Sequence, residues 1–121
     1  MDKDDNLKTP YELFGVECES GWDEILKPIF EYVENYNKDK DYDDRLEIFQ
    51  IKEQFGTLRI YCNFYTEKLR YLIEKAEEES INTCECCGTH ENLGWTSGWI
   101  KRLCKDCSEK YSHLKWKQDK K

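Results

Sequence analysis

The stretch LEIFQIKEQFGTLRIYCNF, residues 46–64, decides the fold. Its two arms, LEIFQIK (46–52) and TLRIYCNF (57–64), are dense in β-branched and aromatic side chains and read as strands. Between them, Glu53-Gln54-Phe55-Gly56 reads as a four-residue turn closed by glycine. That loop length pairs Lys52 with Thr57 and Gln50 with Arg59. Phe49, Ile51, Leu58, Ile60, Cys62 and Phe64 then share the face expected to meet a core. Ile48, Gln50, Lys52, Arg59 and Tyr61 share the other. A slip of one residue would reverse this sorting.

Helices are predicted on both sides of the hairpin. Upstream, Ser20 and Asp23 have capping-box spacing. Trp22, Ile25, Leu26, Ile29, Phe30, Val33 and Tyr36 recur at helical spacing and form an apolar stripe. Pro28 removes a backbone donor, so a kink or break is expected near Lys27. NKDKDYDD, residues 37–44, is a polar loop. Thr9-Pro10 suits the start of a short helical turn to Phe14, ended by Gly15. Downstream, Thr66 caps a second helix to about Ser80, with Leu69, Leu72, Ile73 and Ala76 as its stripe. Glu77, Glu78 and Glu79 lie at the end where the helix dipole disfavours negative charge. They call for a cationic neighbour, and the basic C-terminal region is a candidate.

The second decisive pattern is Cys84-x2-Cys87, sixteen residues, then Cys104-x2-Cys107. Two residues between cysteines let a tight turn aim both thiolates at one ion, and two such pairs make a tetrahedral zinc site. Gly88 suits the positive φ of such a turn. Four thiolates leave no open coordination position, so the expected Zn2+ is structural. The alternative is a set of buried, unpaired thiols. Cys86 offers a geometrically poorer pairing with Cys84. His90 is expected as a loop residue, and Cys18 and Cys62 as small apolar ones.

These signals give an α+β fold: a β-hairpin or small antiparallel sheet packed by two main helices, with a C-terminal zinc ribbon. The expected division is a disordered leader (1–9), an α+β body (10–82), a zinc-binding module (83–107) and a basic, partly helical tail (108–121). The chain has 121 residues, of which 38% are hydrophobic and 37% charged, which suits one domain with a small appended module. Net charge is −7. Residues 1–83 hold 11 Lys+Arg against 21 Asp+Glu, and residues 84–121 hold 8 against 5. An acidic body argues against general nucleic-acid or membrane binding. No apolar run approaches the roughly 18 residues of a membrane span. The polar start MDKDDNLKTP reads as neither signal peptide nor presequence, so the seven cysteines are expected reduced in the cytoplasm.

Several elements together carry a family resemblance. They are Cys18-Glu19-Ser20-Gly21-Trp22, Lys52-Glu53-Gln54-Phe55-Gly56-Thr57-Leu58-Arg59-Ile60-Tyr61, Cys84-Glu85-Cys86-Cys87-Gly88, Gly98-Trp99 and Leu103-Cys104-Lys105-Asp106-Cys107. The chain resembles small, mostly uncharacterised proteins of bacteriophages and bacteria. Their pattern is a Cys-x-x-Gly-Trp element, a Lys-Glu-Lys-Phe-Gly-x-Leu-Arg-x-Tyr strand motif and paired metal knuckles. Gln54 stands where that pattern has Lys. The resemblance implies a phage protein acting in the cytoplasm of a bacterial host, and it brings no activity with it.

For function, no nucleophile–base pair stands out, and the two histidines, His90 and His113, both fall in the C-terminal third. There is no Gly-rich phosphate loop. A binding module is therefore expected rather than an enzyme. Its candidate contact residues are Trp22, Lys52, Phe55, Arg59, Tyr61 and Trp99, with Trp95 nearby. In the register above, Lys52 and Arg59 are diagonal neighbours beside Tyr61. Gly21-Trp22 and Phe55 are candidates to wall a pocket there. Such a pocket suits an anionic planar ligand such as a nucleotide, or an acidic protein partner. For a phage protein, a nucleotide signal of host defence is a sensible target. Ordinary structural roles for the same residues are the alternative. A second class is nucleic-acid binding by the C-terminal region. There Lys101, Arg102, Lys105, Lys110, Lys115, Lys117, Lys120 and Lys121 alternate with Trp95, Trp99, Tyr111 and Trp116.

Overall fold

The computed structural model describes residues 16–119. The expected leader, the turn from Pro10 to Phe14, and Lys120 and Lys121 lie outside the described residues.

Turn chemistry sets the first sheet. Phe55 (φ 54°) and Gly56 (φ 80°) both sit at positive φ, the geometry of a two-residue hairpin turn. Strands β2 (Ile48–Gln54) and β3 (Thr57–Cys62) therefore pair Gln54 with Thr57 and Lys52 with Arg59. The expected four-residue loop is shorter by two, because Glu53 and Gln54 join the ladder. The Glu53 carboxylate also accepts the Gly56 N–H at 2.7 Å and holds the turn. A shift of two residues does not by itself change which face a side chain occupies, since strand faces alternate with period two. Ile51, Leu58, Ile60 and Cys62 are indeed buried.

Two members of the expected core face are corrected. A bulge between Ile48 and Gln50 turns Phe49 outward, 63% exposed, and lets Ile48 face inward instead. Phe64 lies past the end of β3 and is exposed. A short strand β1 (Val16–Glu17) adds parallel to β2, with Val16 beside Ile51 and Glu17 beside Lys52.

Helix α1 (Asp23–Asn37) places Leu26, Ile29 and Val33 in the core against Ile51, Leu58 and Ile60. It is continuous through Pro28, so the expected break does not occur. Proline costs a helix interior about 3 kcal/mol. Leu26 and Ile29 on either side are buried, each contributing about 1.5–3 kcal/mol. The expected capping box is also absent. Ser20 instead opens a 3₁₀ turn (Ser20–Trp22), because the Gly21 backbone is bonded elsewhere. Helix α2 (Glu67–Ile81) begins as expected, with the Thr66 hydroxyl accepting the Leu69 N–H. Its Leu69, Ile73 and Ala76 join the same core. Ser80 seals the edge of β3 by accepting the Leu58 N–H at 3.1 Å. The cationic neighbour of Glu77 is Arg59 on β3, at 3.6 Å, rather than the C-terminal region.

The second sheet follows, in the order β5 (Arg102–Cys104), β4 (Leu93–Ser97), β6 (Lys115–Gln118). A one-turn helix, α3 (Lys105–Ser108), leaves β5. The expected basic, partly helical tail does carry a 3₁₀ turn (Glu109–Tyr111), and its end then joins the ribbon-like region as β6. Gly94 permits this: a Cβ there would lie 2.6 Å from the Trp116 ring. The indole rests on the bare backbone and donates to the Leu103 carbonyl at 2.9 Å.

Candidate metal centre and contact surface

The first knuckle follows α2. The Cys84 N–H donates to the Thr89 carbonyl, and the Gly88 N–H returns to the Cys84 carbonyl at 2.9 Å. Gly88 at φ +84° closes this turn and sends Cys84 and Cys87 the same way. The second knuckle forms where β5 passes into α3. The Cys104 N–H donates to the Cys84 sulfur at 3.3 Å, and the Cys107 N–H to the Cys104 sulfur at 3.4 Å. All four Sγ atoms, of Cys84, Cys87, Cys104 and Cys107, lie within 4.8 Å of one another. Cys87 and Cys104 are 3.7 Å apart. A tetrahedron with 2.3 Å metal–sulfur bonds has edges of about 3.8 Å, so the donor set fits one ion. Burial pushes the thiols of Cys104 and Cys107 up. A bound cation would supply the charge that makes them thiolates. Cys86 stands outside this set, 3.4 Å from the Lys110 ammonium. His90 bonds the Asn82 carbonyl, as a loop residue would.

The centre is joined to the body by a seam that sequence reasoning missed. Gly21 lies against the first knuckle, its N–H donating to the Glu85 carbonyl at 2.7 Å. The Glu85 side chain, 1% exposed, accepts the Glu19 N–H at 3.2 Å and the Lys101 ammonium at 3.2 Å. Burial pushes its carboxyl up, against the pull of Lys101. The Tyr111 hydroxyl donates to Glu19. The Cys18-Glu19-Ser20-Gly21-Trp22 and Cys84-Glu85 elements therefore meet as one junction. Their trace in the sequence was a Glu directly after each of Cys18 and Cys84, with Gly21 and Gly88 a few residues on. Cys18 lies near this junction, where burial and then the charges of Glu85, Asp23, Glu53 and Glu19 push its thiol up to about 12. Burial likewise raises Cys62 to about 11.

The expected pocket is corrected. Trp22 is 0% exposed, in the core, with its indole N–H donating to the Thr83 carbonyl at 3.1 Å. Lys52 and Arg59 lie on the opposite side of the first sheet, so Trp22 cannot wall their space. They are direct cross-strand partners rather than diagonal neighbours, because the turn is shorter. Lys52 lies 5.6 Å from the Tyr61 ring centre. Arg59 reaches Glu77, and Glu17 is the β1 neighbour of Lys52. The rung across the sheet is thus Glu17, Lys52, Arg59, with Glu77 on α2. A groove of about 710 Å³ lies instead between α1 and residues 42–48, lined by Val33, Leu46 and Ile48 among others, and by none of the expected contact residues.

Phe55 and Trp99 are both 69% exposed. Each sits at a hairpin tip, and Gly56 brings the tips together. A Cβ on Gly56 would lie 2.5 Å from the Trp95 ring and 3.3 Å from the Ile100 methyl. A bulky residue at positive φ is strained by about 1–3 kcal/mol, and Phe55 carries that strain while exposing its ring.

Much of the basic aromatic set is used internally. Arg102, 3% exposed, makes a bidentate pair with Asp119 at 2.6 and 2.7 Å and stacks on Trp95. Lys101 serves Glu85, and Trp116 and Tyr111 are tied as above. Lys105, Lys115, Lys117 and Trp99 remain exposed.

No protein-family model, curated protein or solved structure matches the chain. Among the described residues, no helix is long and apolar enough to cross a membrane.

Proposed function

We propose that this is a small zinc-stabilised binding protein, whose metal folds the scaffold and whose outward residues recognise an acidic partner. The sulfur cluster carries the first half of the reading. Four thiolates select zinc or iron, and they leave no coordination position for a substrate. Zinc is the occupant proposed here, and a colourless protein with one zinc per chain is the expected result. The second half rests on Lys52, Tyr61, Phe55 and Trp99. They occupy an outward sheet face and two turn tips, and none of them lines the groove beside α1, a form suited to a macromolecular surface more than to a nucleotide. The further step, a phage protein acting on a host target in the bacterial cytoplasm, rests on the resemblance alone.

Native mass spectrometry of freshly purified protein tests the reading, since it reports zinc, subunits and any retained small molecule together. A retained nucleotide would favour the small-ligand form of the proposal. The double substitution Lys52→Ala with Arg59→Ala should weaken partner binding while leaving the melting temperature nearly unchanged, because half-exposed charges contribute little to folding. A lost fold, or undiminished binding, rejects the role of this pair.

A further inference from the structure

The hairpin tips carry an inference that deepens the binding reading and depends on it. We infer that Phe55 and Trp99 are paired anchors for a protein partner that offers an apolar cleft bordered by carboxylates.

Exposure together with placement at neighbouring hairpin tips singles out these two residues. Within Lys52–Tyr61, Glu53 holds the turn, Gly56 seats on Trp95, and Leu58 and Ile60 fill the core. Phe55 has no comparable structural use. Its position, at φ 54° in a two-residue turn, favours Asn, Asp or Gly. A folding requirement would have placed one of those there. Trp99 follows Gly98 (φ +82°), at whose vacant Cβ position nothing lies within 4 Å. The two rings belong to different sheets, and the contact of Gly56 with Trp95 and Ile100 fixes the tips side by side. Large aromatics are typical anchors, each able to bury roughly 150–250 Å².

Charge selects the occupant. The one carboxylate at the described tips is that of Glu53, which is bonded to the Gly56 N–H at 2.7 Å; Gln54–Thr57 and Trp95–Ile100 add none. Lys115 pairs beside Ser97 and Lys117 beside Trp95, both exposed, and Lys52 lies two rungs from the turn. The chain as a whole is at −7. An acidic partner is therefore repelled by most of the surface and steered to this corner.

The test is selection of a displayed library of random peptides on the full, zinc-loaded chain, with single-stranded oligonucleotide and a nucleotide mixture as parallel arms. Enriched peptides should combine Asp or Glu with an apolar residue. Their affinity should fall more than about tenfold in Phe55→Asn and in Trp99→Ser. Phe55→Asn is the discriminating variant, because it suits the turn and should melt no lower than the parent. No enriched peptide, basic peptides, or peptides indifferent to both variants overturn the inference. Oligonucleotide or nucleotide binding without peptide binding overturns it while sparing the broader binding reading. Silence in every arm removes both.

Discussion

Gly21 and Glu85 touch through backbone alone: the Gly21 N–H donates to the Glu85 carbonyl at 2.7 Å, and a Cβ on Gly21 would lie 2.3 Å from the same oxygen. The start of α1 is thereby fastened to the first cysteine knuckle. Three further contacts share the junction, from Trp22 to Thr83, from Glu19 to Glu85, and from Lys101 to Glu85. Two separate apolar clusters, one in the body and one around the cysteines, are bridged there by polar bonds.

Gly21→Ala should therefore be among the costlier glycine substitutions. The methyl meets backbone, which cannot rotate away, so a loss of about 3 kcal/mol or more is expected. Gly98→Ala has open space and only its positive φ to oppose it, and should cost about 1 kcal/mol. Urea unfolding of the two variants makes the comparison. Equal costs would show that the junction yields easily.

Metal removal should be felt beyond the ribbon-like region. Chelation, or Cys104→Ser, should expose residues 84–118 to amide exchange, because binding a structural metal is folding free energy. It should also loosen Trp22, whose indole bonds the residue before Cys84. Hydrogen exchange and tryptophan fluorescence read the two effects. Elemental analysis without zinc, or an unchanged melt in Cys104→Ser, rejects the stabilising role.

Ile29 is 1% exposed and belongs to the core that α1 shares with β2 and β3. Ile29→Ala should cost about 2–5 kcal/mol by chemical denaturation. A cost near zero would mean that α1 is not held by this stripe.

The hydrogen bonds from Arg102 hold the Asp119 carboxyl below its ordinary value. A depressed carboxylate stabilises the fold above its unfolded pKa, and the contribution is lost as pH falls through the folded value. The pair should thus be fully formed from about pH 4 upward and weaken only below that. Asp119→Asn should loosen β6 at neutral pH, seen as faster amide exchange at Lys115–Gln118. The difference from the parent should vanish in strong acid. A difference that grows with acidification would contradict the assignment.

What the sequence determined by itself was short-ranged. The spacing of Cys84, Cys87, Cys104 and Cys107 picked out the four sulfurs that converge, because each pair needs only one tight turn. Strand alternation found Ile51, Leu58, Ile60 and Cys62, and helical spacing found Leu26, Ile29 and Val33, because a face is set by local periodicity. The turn length was misread, since Phe55 at positive φ violates the preference that would have announced a two-residue turn. Even so, the faces survived, because the register moved by an even number of residues. Tertiary structure alone decided the rest. Trp22, which helical spacing had already put in the stripe, is core and so cannot wall the expected pocket, and Lys101 and Arg102 became buried partners of Glu85 and Asp119. The end of the basic tail became β6 because Gly94, more than twenty residues earlier, left room for the Trp116 ring. Such outcomes depend on which backbone approaches which across the fold, and no window of neighbouring residues encodes that distance.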